Sequence, residues 1–353
     1  MTDGAGCGCG RPAQDGVSVS VVLVVLAIAF AVSMGAHYTG ACMGMPHALG
    51  ALTARRALWI MAPMTLIGAA LASHGVEHTV GHGLVTGRLT VAAQVIVIAV
   101  AFALTSAFNV IRVPTSTIQI LVFSVAGVAL AAHAGVRWGT IGVLGIVWIL
   151  APFVAGLLGF ALTRLFDLVP GVRVAASAPA GSVDGDARRT PGTALSLGLA
   201  LTVVGAAASF TMGANDVANA TGSLVGTGTF GPVAAGIVGG LGLALGVLTW
   251  GRPLLRKVAF DIVTVDRPMA TAAQLVQAGV VLSAVAFGLF TSMNQALVGA
   301  MTGAGLARGR HTVRAASLFG ILRGWVIGPG AGILAGYLIT LLAGLTHTTL
   351  VHG

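Results

Sequence analysis

The sequence predicts an all-α, polytopic transmembrane helical bundle made of two inverted repeats of about five segments each. Three observations predict it. Of the 353 residues, 56% are hydrophobic and only 8% are charged, with mean hydropathy +0.98. A soluble domain carries about 25% charged residues, so this chain lacks the polar surface to coat itself in water. Its 52 glycines run through long apolar segments separated by short charged joints, and small residues let helices approach closely in lipid. Finally, landmarks recur at one spacing. Met34-Gly35-Ala36 returns as Met212-Gly213-Ala214, Ser116 as Ser292, and Trp148 with Pro152 as Trp325 with Pro329, at offsets of 178, 176 and 177.

In chain order, residues 1–16 form an extracytoplasmic N-terminal tail. It holds Cys7 and Cys9, too few for a disulfide framework with Cys42 inside the first apolar segment. Arg11 is balanced by Asp3 and Asp15, and no small-residue cleavage site follows the apolar run from Val17 to Val32, so that run reads as a mature helix rather than a signal peptide. The first transmembrane repeat covers 17–163, with apolar segments at 17–52, 57–74, 89–111, 113–132 and 138–163. A cytoplasmic linker, 164–192, carries Pro170, Pro179, Asp184, Asp186, Arg188 and Arg189. The second repeat, 193–353, has segments at 193–225, 232–250, 269–289, 292–307 and 315–344. Most approach the ~20 residues that span a bilayer. The pairs 89–111/113–132 and 269–289/292–307 are full crossings or re-entrant hairpins. With the N-terminus outside, 14 of the 18 Lys and Arg fall in inside joints, against Arg11, Arg88 and Arg137 outside and Arg323 within the last segment. That bias puts both termini outside a cell membrane. Five segments per half is odd, so the halves enter the membrane in opposite senses, the architecture of many secondary transporters.

The net charge of +9 is not a nucleic-acid footprint, because the basic residues sit in separate joints with no aromatic platform among them. No nucleophile elbow or P-loop occurs, and one core aspartate does not make an acid pair, so an enzyme is not expected. The richest stretch is Gly213-Ala214-Asn215-Asp216-Val217-Ala218-Asn219-Ala220. A carboxylate at membrane depth usually marks an ion or substrate path. Gly213, Gly222, Gly226 and Gly228 are expected to loosen the helix there and free backbone carbonyls for a cation. Asp216 should not face an anion alone; a cation must sit between them, or the carboxyl must be protonated. Asn215 and Asp216 are thus candidate cation-coupling residues. Pro114-Thr115-Ser116-Thr117 and Thr291-Ser292-Met293-Asn294 mark where the paired segments turn, and their hydroxyls, amides and free N–H groups suit a tetrahedral oxyanion. The candidate substrate-binding residues are Asn215, Asn219, Ser116, Thr117, Ser292 and Asn294. His74, His78 and His82, spaced by four, are weak metal candidates, since Gly75, Gly81 and Gly83 argue against a firm helix. Arg323 either contacts substrate or snorkels, and Asp261 and Asp266 belong to a solvated joint.

At Gly213 to Ala220 the chain resembles the PiT family of inorganic phosphate transporters, which carries Gly-Ala-Asn-Asp-Val-Ala-Asn in each of two inverted repeats. Pro114-Thr115-Ser116-Thr117-Ile118-Gln119 and Phe290-Thr291-Ser292-Met293-Asn294-Gln295 stand where the family has a Pro-Val-Ser-Thr-Thr-His run, and Leu297 to Gly309 is similar to its continuation. In the first repeat His37, Tyr38 and Ala41 replace the family's Asn, Asp and second Asn. This one-sided pattern is similar to a divergent branch that includes sulfate permeases.

The resemblance implies a secondary transporter for inorganic phosphate, with sulfate the alternative substrate, driven by symport with Na⁺ or H⁺ and needing no further cofactor. Losing one carboxylate implies fewer coupling cations, or protons in place of sodium. A passive anion channel is the rival. Lipid is the other partner, nucleic acid is not one, and a homodimer is left open.

Overall fold

The computed structural model describes residues 12–111, 113, 115–169, 191–255, 263, 265–344 and 351–352, with side chains from residue 19 in the first helix and from 196 in the eighth. Cys7, Cys9, Pro114, Asp261 and most of the 164–192 linker lie outside them.

Twelve α-helices carry the described chain: α1 Pro12–His37, α2 Thr39–Ala48, α3 Ala54–Ala72, α4 His74–His82, α5 Val91–Ile111, α6 Thr117–Ala131, α7 Trp138–Asp167, α8 Pro191–Gly226, α9 Pro232–Trp250, α10 Arg267–Ala286, α11 Met293–Arg308 and α12 Ala315–Leu342. Among the described residues, seven stretches are long and apolar enough to cross a membrane, with α1 and α2 counted as one. The α3–α4 pair, bent by 68°, makes an eighth if it is a single span. The two remaining helices, α6 with 15 residues and α11 with 16, extend only ~22–24 Å at 1.5 Å per residue. A hydrocarbon core is ~30 Å thick, so these two are short arms rather than crossings.

Polar joints gather at two ends. At one, Arg308 pairs with Asp167 at the end of α7 and with Asp266 before α10 (3.3 Å), Arg267 donates to Leu49 O (3.0 Å), and Val263 bridges to Val313. Asp266 is thus an ion-paired helix cap, accepting from Met269 N (2.8 Å), rather than a freely solvated residue. Burial raises its carboxyl above the ordinary range, against the pull of the Met269 N–H and Arg308. At the other end Arg88–Leu89 pairs with Val351–His352, and Val85 bridges to Val136. Helix α7, 30 residues long, runs from one end to the other.

The packing is reciprocal. Helix α1 lies on α9 while α8 lies on α3; α6 lies on α12 while α11 lies on α7. A Cβ on Gly35 would sit 2.0 Å from Leu243 O, and one on Gly213 would sit 1.9 Å from Thr65 O. Gly35 and Gly213, like Thr65 and Leu243, are 178 positions apart. Gly127 meets Ile333 O as Gly303 meets Gly156 O, at offsets of 176 and 177. Each half therefore lends its helices to the other.

Two sequence expectations fail here for one reason. Helix α8 is continuous from Pro191 to Gly226, without the loosened turn expected around Gly213. Helix α4 is a regular helix despite Gly75 and Gly81. These glycines do not break helices; they remove side chains where backbones touch. Gly213 admits Thr65 O, and Gly81 faces Gly222 and Gly226 of α8.

Candidate substrate and cation site

Four elements meet at the centre: the middle of α8, the α1–α2 junction at Tyr38, and the two turns that lead into α6 and α11. The short arms explain the meeting. Ser116 accepts from Gln119 N (3.4 Å) and Ser292 from Gln295 N (3.3 Å), so each arm opens on a serine N-cap. The amides of the first turn beyond each cap have no partner within the helix. Two positive helix ends thus point into one buried space. The tips touch directly, because Asn294 Nδ2 donates to Thr115 O at 2.8 Å.

Asp216 is wholly buried. It accepts from Asn215 Nδ2 (3.1 Å) and from Asn219 Nδ2 (3.4 Å), and Tyr38 approaches the same carboxylate. No Lys or Arg pairs with it among the described residues. Asn215 also clasps the second tip twice, donating to Thr291 O (2.7 Å) and accepting from Thr291 N (3.2 Å). Asn219 reaches the first tip at Thr117 Oγ1 (3.3 Å), which also bonds the Tyr38 hydroxyl (2.8 Å). All seven residues singled out as substrate or cation candidates therefore converge: Asn215, Asp216, Asn219, Ser116, Thr117, Ser292 and Asn294. The Asn215 and Asn219 amides are turned to Asp216, and because α8 is continuous and frees no carbonyl, a cation here would draw its ligands from side chains and tip carbonyls.

Several buried oxygens here have no partner: Thr115 Oγ1, Thr291 Oγ1, Asn219 Oδ1, Asn294 Oδ1, Gln119 Oε1 and Gln295 Oε1. Buried polar atoms are ordinarily paired, so this cluster marks the candidate site. The sequence reading passed over Thr115, Thr291 and the two glutamines as site residues. Their signal was available, since Thr115/Thr291 and Gln119/Gln295 both stand 176 apart.

His37, which stands where the family has Asn, lies in the same network, against Asn109, Thr115 and Asn294. The other flagged residues lie elsewhere. Rings of His78 and His82 stack 5.3 Å apart on α4, but no group of three metal-ligating side chains occurs among the described residues. Arg323 is exposed on α12, away from the site.

A buried polar cluster between the tips of two short helices, set inside a multi-pass bundle, is the centre of a membrane transporter fold. The model of the phosphate transporter family matches residues 34–336, and the chain belongs to that family. The sulfate permease CysP of Bacillus subtilis is 25% identical over 89% of this chain and 85% of its own. A protein named as a phosphate permease in Pyrococcus furiosus is 34% identical, over 37% of this chain and 34% of its own. The chloroplastic inorganic phosphate transporter 2-1 of Arabidopsis thaliana is 35% identical over 34% of this chain and 22% of its own. These two matches thus span about a third and less than a quarter of the relatives' length. A solved structure titled as the sodium-dependent phosphate transporter superposes with a TM-score of 0.82 at 22% identity, covering 93% of this chain and 99% of that one, a likeness of fold.

Proposed function

We propose that this protein is a secondary transporter that carries inorganic phosphate across the cell membrane together with a cation, Asp216 being the coupling group. The carrying observation is a fully buried carboxylate, without a basic partner among the described residues, held between two helix N-termini. Those N-termini favour an anion, while the carboxylate repels it, so a cation, Na⁺ or H⁺, must arrive for the anion to stay. Ser116, Thr117, Ser292 and Asn294 supply hydroxyls and an amide from the tips. Asn215 and Asn219 hold Asp216 and tie it to both tips. Rocking of the two halves about this chamber would open it alternately to either end, with both chain termini outside.

Sulfate is the second reading, favoured by the relative that matches over most of the chain. One feature supports phosphate. Asn294 Nδ2 donates to Thr115 O and faces His37 Nε2, while Asn294 Oδ1 is a buried acceptor without a donor. Monohydrogen phosphate carries a hydroxyl that can donate to it; sulfate carries none.

The test is uptake of labelled phosphate and sulfate by proteoliposomes under imposed Na⁺ or H⁺ gradients. Asp216→Asn is expected to abolish gradient-driven accumulation in a folded protein. Accumulation by that variant at the wild-type rate refutes the role of Asp216, and wild-type flux indifferent to both gradients makes the protein a channel.

A further inference from the structure

His37 is the two-fold counterpart of Asn215, 178 positions earlier, and Thr115 is the counterpart of Thr291. The contacts repeat as well: Asn215 bonds Thr291 O, and His37 Nε2 lies 3.3 Å from Thr115 O. The first half of the chamber is thus built like the second, with an imidazole where the second half has an amide. Tyr38, the counterpart of Asp216, puts its hydroxyl on Thr117. The carboxylate that would hold a cation in the first half is replaced by a phenol.

The surroundings of the imidazole fix its tautomer. Asn109 Nδ2 donates to Ser33 O (2.9 Å) and Ser33 Oγ (3.0 Å). Its Oδ1 must therefore accept from His37 Nδ1–H. Nε2 then faces two partners of opposite kind. The Asn294 amide, 3.2 Å away, donates to it when it is bare. The Thr115 carbonyl accepts from it when it carries a proton. The ring is satisfied in both protonation states, and the two states differ in what they leave at the anion's side. A bare Nε2 engages the Asn294 amide; a protonated one releases that N–H and adds a positive charge.

The ionisable groups around the ring are few. Tyr38 packs against it edge-on, with ring centroids 5.1 Å apart. Asp216 of α8 is reached only through Tyr38 and Thr117. Cys42 lies one turn beyond Tyr38, its thiol toward Ala208 O (3.7 Å). Helix α5, the first tip and α11 present only Asn109, Thr115 and Asn294, and no ion pair involves His37 among the described residues.

We propose that His37 binds a transported proton at Nε2, so that its imidazolium takes the place of the cation that a first-repeat carboxylate would hold. The assignment rests on the transport reading above. One proton enters with the anion, binds Nε2 in the state open to the outside, and leaves when the chamber opens inward.

The experiment uses proteoliposomes free of Na⁺, with labelled sulfate or phosphate outside and a pH dye inside. Protons moved per anion are counted for wild type, His37→Asn and His37→Gln. The ratio is independent of how much protein folds. It is expected to fall by about one in both variants, and the dependence of anion flux on pH between about 5 and 8 is expected to flatten. An unchanged ratio, or wild-type flux that carries no proton, overturns the role of His37. No flux of either anion in wild type, with any gradient, overturns the transport reading itself. If neither variant transports, wild-type protein labelled with ¹⁵N at histidine decides: anion addition should turn one ring to imidazolium, and no change of any ring refutes the assignment.

Discussion

Gly213→Ala is the sharpest test of how the site is positioned. The added Cβ would lie 1.9 Å from Thr65 O of α3, whereas ordinary contact begins at 3.4 Å. The obstacle is a backbone oxygen, which cannot rotate aside, so α8 and α3 must part locally by about 1.5 Å. Overpacking of this kind costs about 1–3 kcal/mol. Asn215 sits two residues further on, and its bonds to Thr291 at 2.7 and 3.2 Å would stretch beyond useful length. Losing two such bonds, at about 1 kcal/mol each, weakens the closed, loaded state by about 30-fold. The assay is anion uptake in proteoliposomes beside thermal unfolding in detergent. Gly198→Ala on the same helix is the control, because nothing lies within 4 Å of its Cβ position; it should stabilise the protein by about 0.4–1 kcal/mol. A Gly213→Ala protein as stable and as active as wild type would refute the argument, as would equal damage from Gly198→Ala.

Further outcomes follow from atoms that lack partners. Thr115→Val and Thr291→Val each remove a buried hydroxyl whose oxygen has no hydrogen-bond partner, so melting should hold or rise while anion affinity falls about 5–10-fold; binding unchanged in both variants would take these hydroxyls out of the site. Glu77 is fully buried on α4, accepting from Thr221 Oγ1 (3.0 Å), with Oε2 unpartnered and no ion-pair partner among the described residues. A buried unpaired charge is costly, so Glu77→Gln should melt a few degrees higher at pH 8, and a lower melting temperature would contradict this.

Much of the site was legible because polar residues are conspicuous in apolar sequence. Asp216 with its two asparagines announces itself, and the offset of 176–178 ties the two tips to each other before any contact is known. What the sequence hid was the use of glycine. Near a carboxylate, Gly213 reads as flexibility; in the fold it is a contact surface, since Thr65 O fills the space of its missing side chain. The same error hid α4, whose Gly81 faces α8. A single sequence shows that a glycine lacks a side chain and cannot show what occupies the vacancy. His37 was missed for a different reason. Judged against its family it is a replacement, and only the Asn109 and Thr115 contacts show it bonded to the first tip.

The asymmetry between the halves follows from charge. Two carboxylates beside a divalent anion make a chamber with four negative charges, which lipid-depth surroundings cannot hold without several cations. With Tyr38 in place of the first carboxylate, the chamber holds three. The phenol does not leave a void: its hydroxyl bonds Thr117 and its ring packs against His37, so the first tip stays pinned as Asn215 pins the second. One cation at Asp216 and one proton on His37 would then bring the loaded chamber to a single negative charge, faced by two helix N-termini worth about half a positive charge each. Fewer negative groups in the first repeat would thus make fewer cations sufficient, with the Asn215-Asp216-Asn219 set of the second repeat bonded to both tips.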